Sequence, residues 1–251
     1  TAGKDYMTSW YAWLDVQQGA NVARVETYEC QDNGRPLYRF ISRPRDLATY
    51  VHYDALYEAY LNACLTLLAM GAPFDRGVPF QEPDLADKQQ GFAHFGGPHI
   101  LTLVCEVATR ALKAVRYQKF NIHRRFRPEG IGGRLEAIRR GPKKVPKALE
   151  PVAGLRKALG SDLLKEVLEH NEKQNQADDR KDEGDKGTHL LPMAFPEGSP
   201  MHPSYGAGHA TVAAACVTVL KAYFDHGHRL CGPGVNPCYR PNADGTALDE
   251  L

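Results

Sequence analysis

The sequence has no surplus of either charge: over 251 residues, 31 Lys and Arg stand against 30 Asp and Glu, a formal net charge of +1. A balance this even excludes the broad basic field that non-specific nucleic-acid binding or attraction to anionic lipid requires. Long apolar runs are missing too, so no stretch reads as a bilayer-spanning helix. The opening Thr1-Ala2-Gly3-Lys4-Asp5 lacks the pattern of a secretory signal, and a start without Met reads as a processed or excised chain. Cysteine is scarce. Six in a chain of this length cannot form a disulfide scaffold, and they single out no redox compartment. Cys64, Cys105 and Cys216 fall in apolar helical runs and read as inert core thiols. Cys231 and Cys238 can close a small loop, and the absence of paired Cys-x-x-Cys spacing argues against zinc. Strand patterns and internal repeats are also lacking.

What remains is helical periodicity. An i, i+3/i+4 pattern from Asp5 to Val16 predicts a short amphipathic helix. Ser42 as N-cap and Pro44 in the first turn open a helix predicted to run from Arg45 to about Met70, where Gly71 and Pro73 stop it. Pro98 opens a second long helix, carried past Tyr117 toward Arg127 and ending before Pro128, with Gly130, Gly132 and Gly133 as a break. Arg134–Pro151 reads as basic surface loop. Leu155–His170 reads as one or two short helices with Ser161 as a cap, and the charged Asn171–Gly187 as a solvated excursion. The expected architecture is therefore mainly α: one helical domain over residues 1–251, with 134–187 as a flexible surface excursion.

Two places carry chemistry. The first is Gly206-Ala207-Gly208-His209, where a Pro/Gly/Ser-rich loop opens the apolar helical run ending at Phe224. Unpaired amides and the positive end of the helix dipole make such a junction an anion seat, and His209 stands beside it as a proton carrier. The bland alternative is a loop that needs glycine and a histidine that caps. The second is Lys119, His123 and Arg127, an i, i+4, i+8 ridge of cations suited to several oxygens of a tetrahedral anion. Here the bland alternative is a set of cations answering a helix dipole.

Taken together, the two clusters resemble the vanadate or phosphate site of the vanadium-dependent haloperoxidases and the type 2 phosphatidic acid phosphatases. The run Phe195-Pro-Glu-Gly-Ser-Pro-Met-His-Pro-Ser-Tyr-Gly-Ala-Gly-His-Ala-Thr is similar to the red-algal and cyanobacterial bromoperoxidases. Arg45-Asp-Leu-Ala-Thr-Tyr-Val-His-Tyr-Asp and Phe95-Gly-Gly-Pro-His-Ile-Leu-Thr-Leu-Val share the likeness. The resemblance implies a helical bundle of that type, present as an incomplete portion. It also implies that Lys119 and Arg127 bind vanadate oxygens, that Gly208 gives its amide to the same anion, that His202 lines the pocket, and that His209 is the acid–base histidine. Vanadium as Lewis acid, hydrogen peroxide, bromide and an organic acceptor would follow, with hypobromous acid or its equivalent as product and a homo-oligomer as the assembly.

Two departures from the family pattern stand out. The family's Ser before Gly-His is Ala207 here, which removes a charge-assisted hydrogen bond worth about 1.5–3 kcal/mol. The family's Arg-Gly-His motif, whose His coordinates vanadium, has no counterpart after Phe224; His226 and His228 do not match it, and the metal ligand stays unassigned. The expectation is a segment of a longer enzyme, with about half of a family-length protein preceding Thr1. The alternatives are a phosphatase using the same pocket for phosphate, or a truncated anion-binding relative without catalysis.

Overall fold

The computed structural model describes residues 3–80, 90–141, 146–177 and 186–251. The fold is mainly α, as expected. It does not form one undivided domain: residues 1–38 and 125–204 group into a first compact unit, and residues 39–124 and 205–251 into a second.

The first unit is built on α1 (Trp10–Gln17), α5 (Pro128–Arg140) and α6 (Glu150–Ala177). The helix predicted from Asp5 begins only at Trp10, capped by the Ser9 side chain, which accepts from the Ala12 amide. Ahead of it the chain is extended, because Tyr6 exchanges two backbone hydrogen bonds with Met193 and is buried with Met7 and Thr8. The expected break at Gly130–Gly133 is instead the middle of α5. Its glycines serve packing. A Cβ on Gly133 would lie 2.1 Å from Cζ2 of Trp13, and one on Gly132 would lie 2.7 Å from the Leu191 amide nitrogen. Helical glycine is tolerated where close approach offsets its entropic cost.

The segment 134–187, expected to be a flexible surface excursion with short helices only over Leu155–His170, is helical well beyond those bounds among its described residues. Gly160, at φ +79° and ψ 166°, divides α6 into two helical stretches, and Ser161 opens the second as anticipated. The polar run after it is no solvated coil either. Asn171 is fully buried, with its Nδ2 within 3.1 Å of the Thr188 carbonyl, the Thr188 hydroxyl and the Leu190 carbonyl. Thr188 Oγ1 donates to the Thr8 carbonyl at 2.6 Å, and Thr8 Oγ1 donates to Asn175 Oδ1 at 2.7 Å. Polarity here marks a buried hydrogen-bond network, which composition alone reads as solvent exposure. Residues 178–185 of the excursion, and Lys143 and Lys144 of the basic loop, lie outside the described residues.

The second unit holds α2 (Pro44–Tyr53), α3 (Glu58–Ala69), α4 (Gly97–Tyr117), a π-helical turn (Gln118–His123), α7 (Gly208–Tyr223) and a hairpin of β1 (Tyr239–Pro241) and β2 (Leu248–Glu250). Its core is Ile100, Val104 and Ala108 of α4 against Val212, Cys216, Leu220 and Tyr223 of α7, with Cys64 of α3 and Phe224. The i, i+4, i+8 spacing on both long helices produces one apolar stripe each. They run antiparallel: Tyr223 donates its hydroxyl to the Gly96 carbonyl at one end, and Gly206 adjoins Val115 at the other. Burial pushes the Cys64 thiol up to about 11, as suits an inert core cysteine.

The single helix predicted over Arg45–Met70 is two helices. Asp54 leaves helical geometry at φ −72° and ψ 149°, with no proline or glycine to announce it. The N-cap is Arg43, one residue past the predicted Ser42. Asp46 receives the amides of both, together with the Arg39 guanidinium. Gly71, at φ +64°, ends α3 where expected. Cys231 and Cys238 form the anticipated disulfide, and the hairpin beyond them is a small strand pair that the periodicity did not signal.

The most deeply buried carboxylate among the described residues of the first unit is Glu136. Glu136 is fully enclosed and accepts from Arg139 Nε at 2.8 Å, Arg140 Nε at 2.6 Å and the His189 amide at 2.8 Å. Burial alone would raise its carboxyl pKa, but the hydrogen bonds from Arg139, His189 and Arg140 outweigh burial and hold it below the ordinary 4.5. A depressed carboxyl binds more protons unfolded than folded. Its contribution is therefore complete above pH 4.5 and is lost as pH falls through the lower folded value. Glu136→Gln should lower stability at pH 7 by about 3 kcal/mol in urea unfolding, since it strands the arginines. It should also flatten the acid limb of the stability profile relative to the parent protein.

Candidate anion site at the start of helix α7

Helix α7 begins without a side-chain cap. Ala207 occupies the N-cap position in extended geometry, φ −74° and ψ 120°, and its methyl group can accept nothing. The first intrahelical bond runs from the Thr211 amide to the Ala207 carbonyl at 3.1 Å. The amides of Gly208, His209 and Ala210 precede it and point out of the helix end without a carbonyl one turn back. A helix start of this kind, with no side chain on its cap, has the geometry expected of an anion seat from the sequence.

His209 is held from below. Its Nε2 lies 3.0 and 3.2 Å from the two carboxylate oxygens of Asp54. The Asp54 side chain is 5% exposed and that of His209 is 42% exposed, so the ring has a buried anchor and an open face. A carboxylate only accepts, so Nε2 carries a hydrogen, and whenever the ring is neutral Nδ1 is its basic nitrogen. The break between α2 and α3 is what aims Asp54 at this ring. Asp54 was not among the residues singled out from the sequence. It stood in a tyrosine-rich run that reads as continuous helix, and no local pattern ties position 54 to position 209.

Lys119 sits in the π-helical turn that extends α4 and is only 2% exposed. The turn closes with the Arg124 amide donating to the Lys119 carbonyl at 2.9 Å. Arg124 is left-handed, φ 42° and ψ 42°, and the helix stops there. The ring of His123, the last residue of the turn, meets the ring of Tyr205 edge-on at 4.6 Å. The end of α4 that carries Lys119 therefore adjoins the loop that leads into α7, within the second unit.

The expected ridge of Lys119, His123 and Arg127 does not form. With Arg124 left-handed, Arg127 is the N-cap residue of α5 and belongs to the first unit. There its guanidinium grips His202: Nε donates to the His202 carbonyl at 2.8 Å, and Nη2 lies 2.7 Å from His202 Nδ1. Because arginine only donates, His202 Nδ1 is the acceptor and Nε2 bears the hydrogen. The loop around His202 is fastened by Glu129, a buried carboxylate that receives the Ser199 amide at 3.1 Å and the Ser199 hydroxyl at 2.7 Å. Ser204 adds two bonds, to the Arg125 and Phe126 carbonyls. Glu129 was also missed from sequence, since in the first turn of a helix it passes for an ordinary dipole-compensating residue. Among the described residues no group of three or more His, Cys, Asp or Glu converges as a metal site, and no helix is long and apolar enough to cross a membrane.

No protein-family model matches the chain. Individual proteins do. A vanadium-dependent bromoperoxidase of Corallina pilulifera is 55% identical over 227 residues, covering 90% of this chain and 36% of that protein. One of Corallina officinalis is 52% identical over 230 residues, covering 92% and 37%. Among solved structures, the homohexameric second vanadate-dependent bromoperoxidase of Ascophyllum nodosum superposes with a TM-score of 0.69 at 29% identity, over 100% of this chain and 38% of that one. The chain spans a little over a third of the length of these relatives. It is thus a homologue, over nearly all of its own length, of the vanadium-dependent bromoperoxidases.

Proposed function

We propose that this chain supplies anion-binding and proton-transfer residues of a vanadium-dependent bromoperoxidase, which oxidises bromide with hydrogen peroxide to hypobromous acid or its equivalent for transfer to organic acceptors. The observation that carries the reading is the uncapped start of α7, with His209 anchored on Asp54, in a chain more than half identical to bromoperoxidases.

The residues suit a tetrahedral oxyanion. The open amides of Gly208 and its neighbours are donors only, and the buried Lys119 offers an ammonium, a compact positive charge with donors alone. Arg127 and His202 are proposed for the same cofactor on the strength of the motif; each offers N–H donors. When bound, vanadate supplies the Lewis-acid centre at which hydrogen peroxide is activated toward bromide. His209 accepts the peroxide proton at Nδ1 and returns it to the departing oxygen, while Asp54 stabilises the imidazolium that exists between those two events. Bromide, hydrogen peroxide and one proton then leave as hypobromous acid and water. The His that would coordinate vanadium directly is not assigned to any residue of the 251. A homo-oligomer is part of the proposal: Leu47, Val51, Tyr53 and Tyr57 are each exposed apolar or aromatic residues on and after α2, and the Ascophyllum relative is a homohexamer.

Orthovanadate should bind the purified chain in calorimetry, and adding peroxide, bromide and a phenolic dye should give brominated dye. Absence of both binding and turnover would overturn the proposal. Phosphate-ester hydrolysis without bromination would replace it with the phosphatase reading. Ala207→Ser restores the hydroxyl and should tighten orthovanadate binding by roughly 10- to 100-fold, the equivalent of one charge-assisted hydrogen bond. Unchanged or weaker affinity would show that position 207 faces away from the anion. Asp54→Ala removes the anchor of the ring. In nitrogen-15 NMR at a pH where the imidazole is neutral, His209 should pass from a single Nε2–H tautomer to a mixture of both, with bromination reduced by about 10²-fold or more.

A further inference from the structure

We infer that His123 is a positioning residue for the anion seat, acting through the ring of Tyr205; this rests on the reading of α7 given above. The segment that delivers the amides is Gly206-Ala207-Gly208; the Ala207 carbonyl accepts from the Thr211 amide at 3.1 Å and the Thr211 hydroxyl at 2.9 Å, while the segment itself brings only one methyl group of side chain. Gly206 and Gly208 carry no side chain, and a Cβ at either would meet only ordinary contacts, 3.5 Å to Val115 and 3.8 Å to Leu112 and Leu56. No side chain caps the helix start. The nearest residue on the incoming side with a bulky side chain is Tyr205, and its ring is in edge-to-face contact with His123 at 4.6 Å and 89°.

His123 is itself fixed by the backbone. It is the last residue of the π-helical turn, clamped between the Arg124-to-Lys119 closure and the left-handed Arg124 that ends the helix. Lys119 belongs to that same turn. The ring pair therefore joins the element that carries the buried ammonium to the element that carries the open amides, both within the second unit. Neither ring has to touch the anion for this to matter. Donors that must meet one tetrahedral ion are sensitive to displacements well below an ångström, so a contact that sets their spacing sets the affinity. The role needs a flat aromatic edge or face at position 123, and asks nothing of the imidazole nitrogens.

The test uses the full chain and two readouts, orthovanadate affinity by calorimetry and amide hydrogen exchange at Gly206–Ala210. His123→Ala should weaken orthovanadate roughly 3- to 10-fold, the range of one aromatic pair, and speed exchange at those amides. His123→Phe should restore both. Tyr205→Ala should match His123→Ala, and the double variant should lose no more than either single one. His123 is exposed, so the variants should fold, and circular dichroism checks this. The proposal is overturned if His123→Phe is as weak as His123→Ala, which would make the imidazole a direct contact, or if His123→Ala changes neither readout. A parent chain that binds no orthovanadate would sink the functional reading, and the exchange comparison, which needs no anion, would then decide on the ring pair alone.

Discussion

The antiparallel packing of α4 on α7 is the constraint on which the second unit depends. Ile100, Val104 and Ala108 meet Val212, Cys216 and Leu220 along an apolar seam, and burying each of the larger side chains, Ile100, Val104, Val212 and Leu220, contributes about 1.5–3 kcal/mol. The seam has a direction. Because the helices run opposite ways, the end of α4 that continues into the π-helical turn adjoins the start of α7, and the cation of Lys119 and the amides of Gly208 and His209 share one end of the unit. The chemistry sits on that apolar contact, with no polar group of its own needed in the seam.

Ordinary periodicity made much of this legible. The apolar run from Val212 to Phe224 and the stripe from Ile100 to Val115 are long and regular, and the glycine-bearing junction ahead of them is visible as a change of composition. Lys119, Gly208 and His209 could be named for the same reason: each lies at the edge of a regular element. The less legible features depend on contacts between distant residues. Asp54 interrupts a helix without any residue that discourages helix, and what stands opposite is a histidine 155 positions away. Gly132 and Gly133 resemble helix breakers, yet Trp13 and the Leu191 backbone take the space their side chains would fill. Asn171 and Asn175 look solvated until Thr8 and Thr188 are brought to them. In each case local preference was overridden by a partner that no short window contains.

The ridge of three cations failed for a different reason. Its spacing is sound for a continuing helix, but Arg124 turns left-handed and Arg127 becomes the cap of the next one. The same residue types were retained while the geometry changed hands: Lys119 stays with α4, and Arg127 holds His202. A motif of cations before a proline thus describes two elements, one ending and one beginning. The Ala207 departure sits in equally plain view, at a helix start with nothing on its cap.

The packing of Trp13 against Gly133 has one more consequence. The sequence contains two tryptophans, Trp10 and Trp13, stacked on one another in α1 with ring centroids 5.4 Å apart. Both belong to the first unit, and the second unit contains no tryptophan. Intrinsic tryptophan emission is therefore a reporter of the first unit by itself, whereas far-ultraviolet dichroism sums the helices of both. The protein carries its own pair of optical channels, one for the first unit alone and one for the two units together.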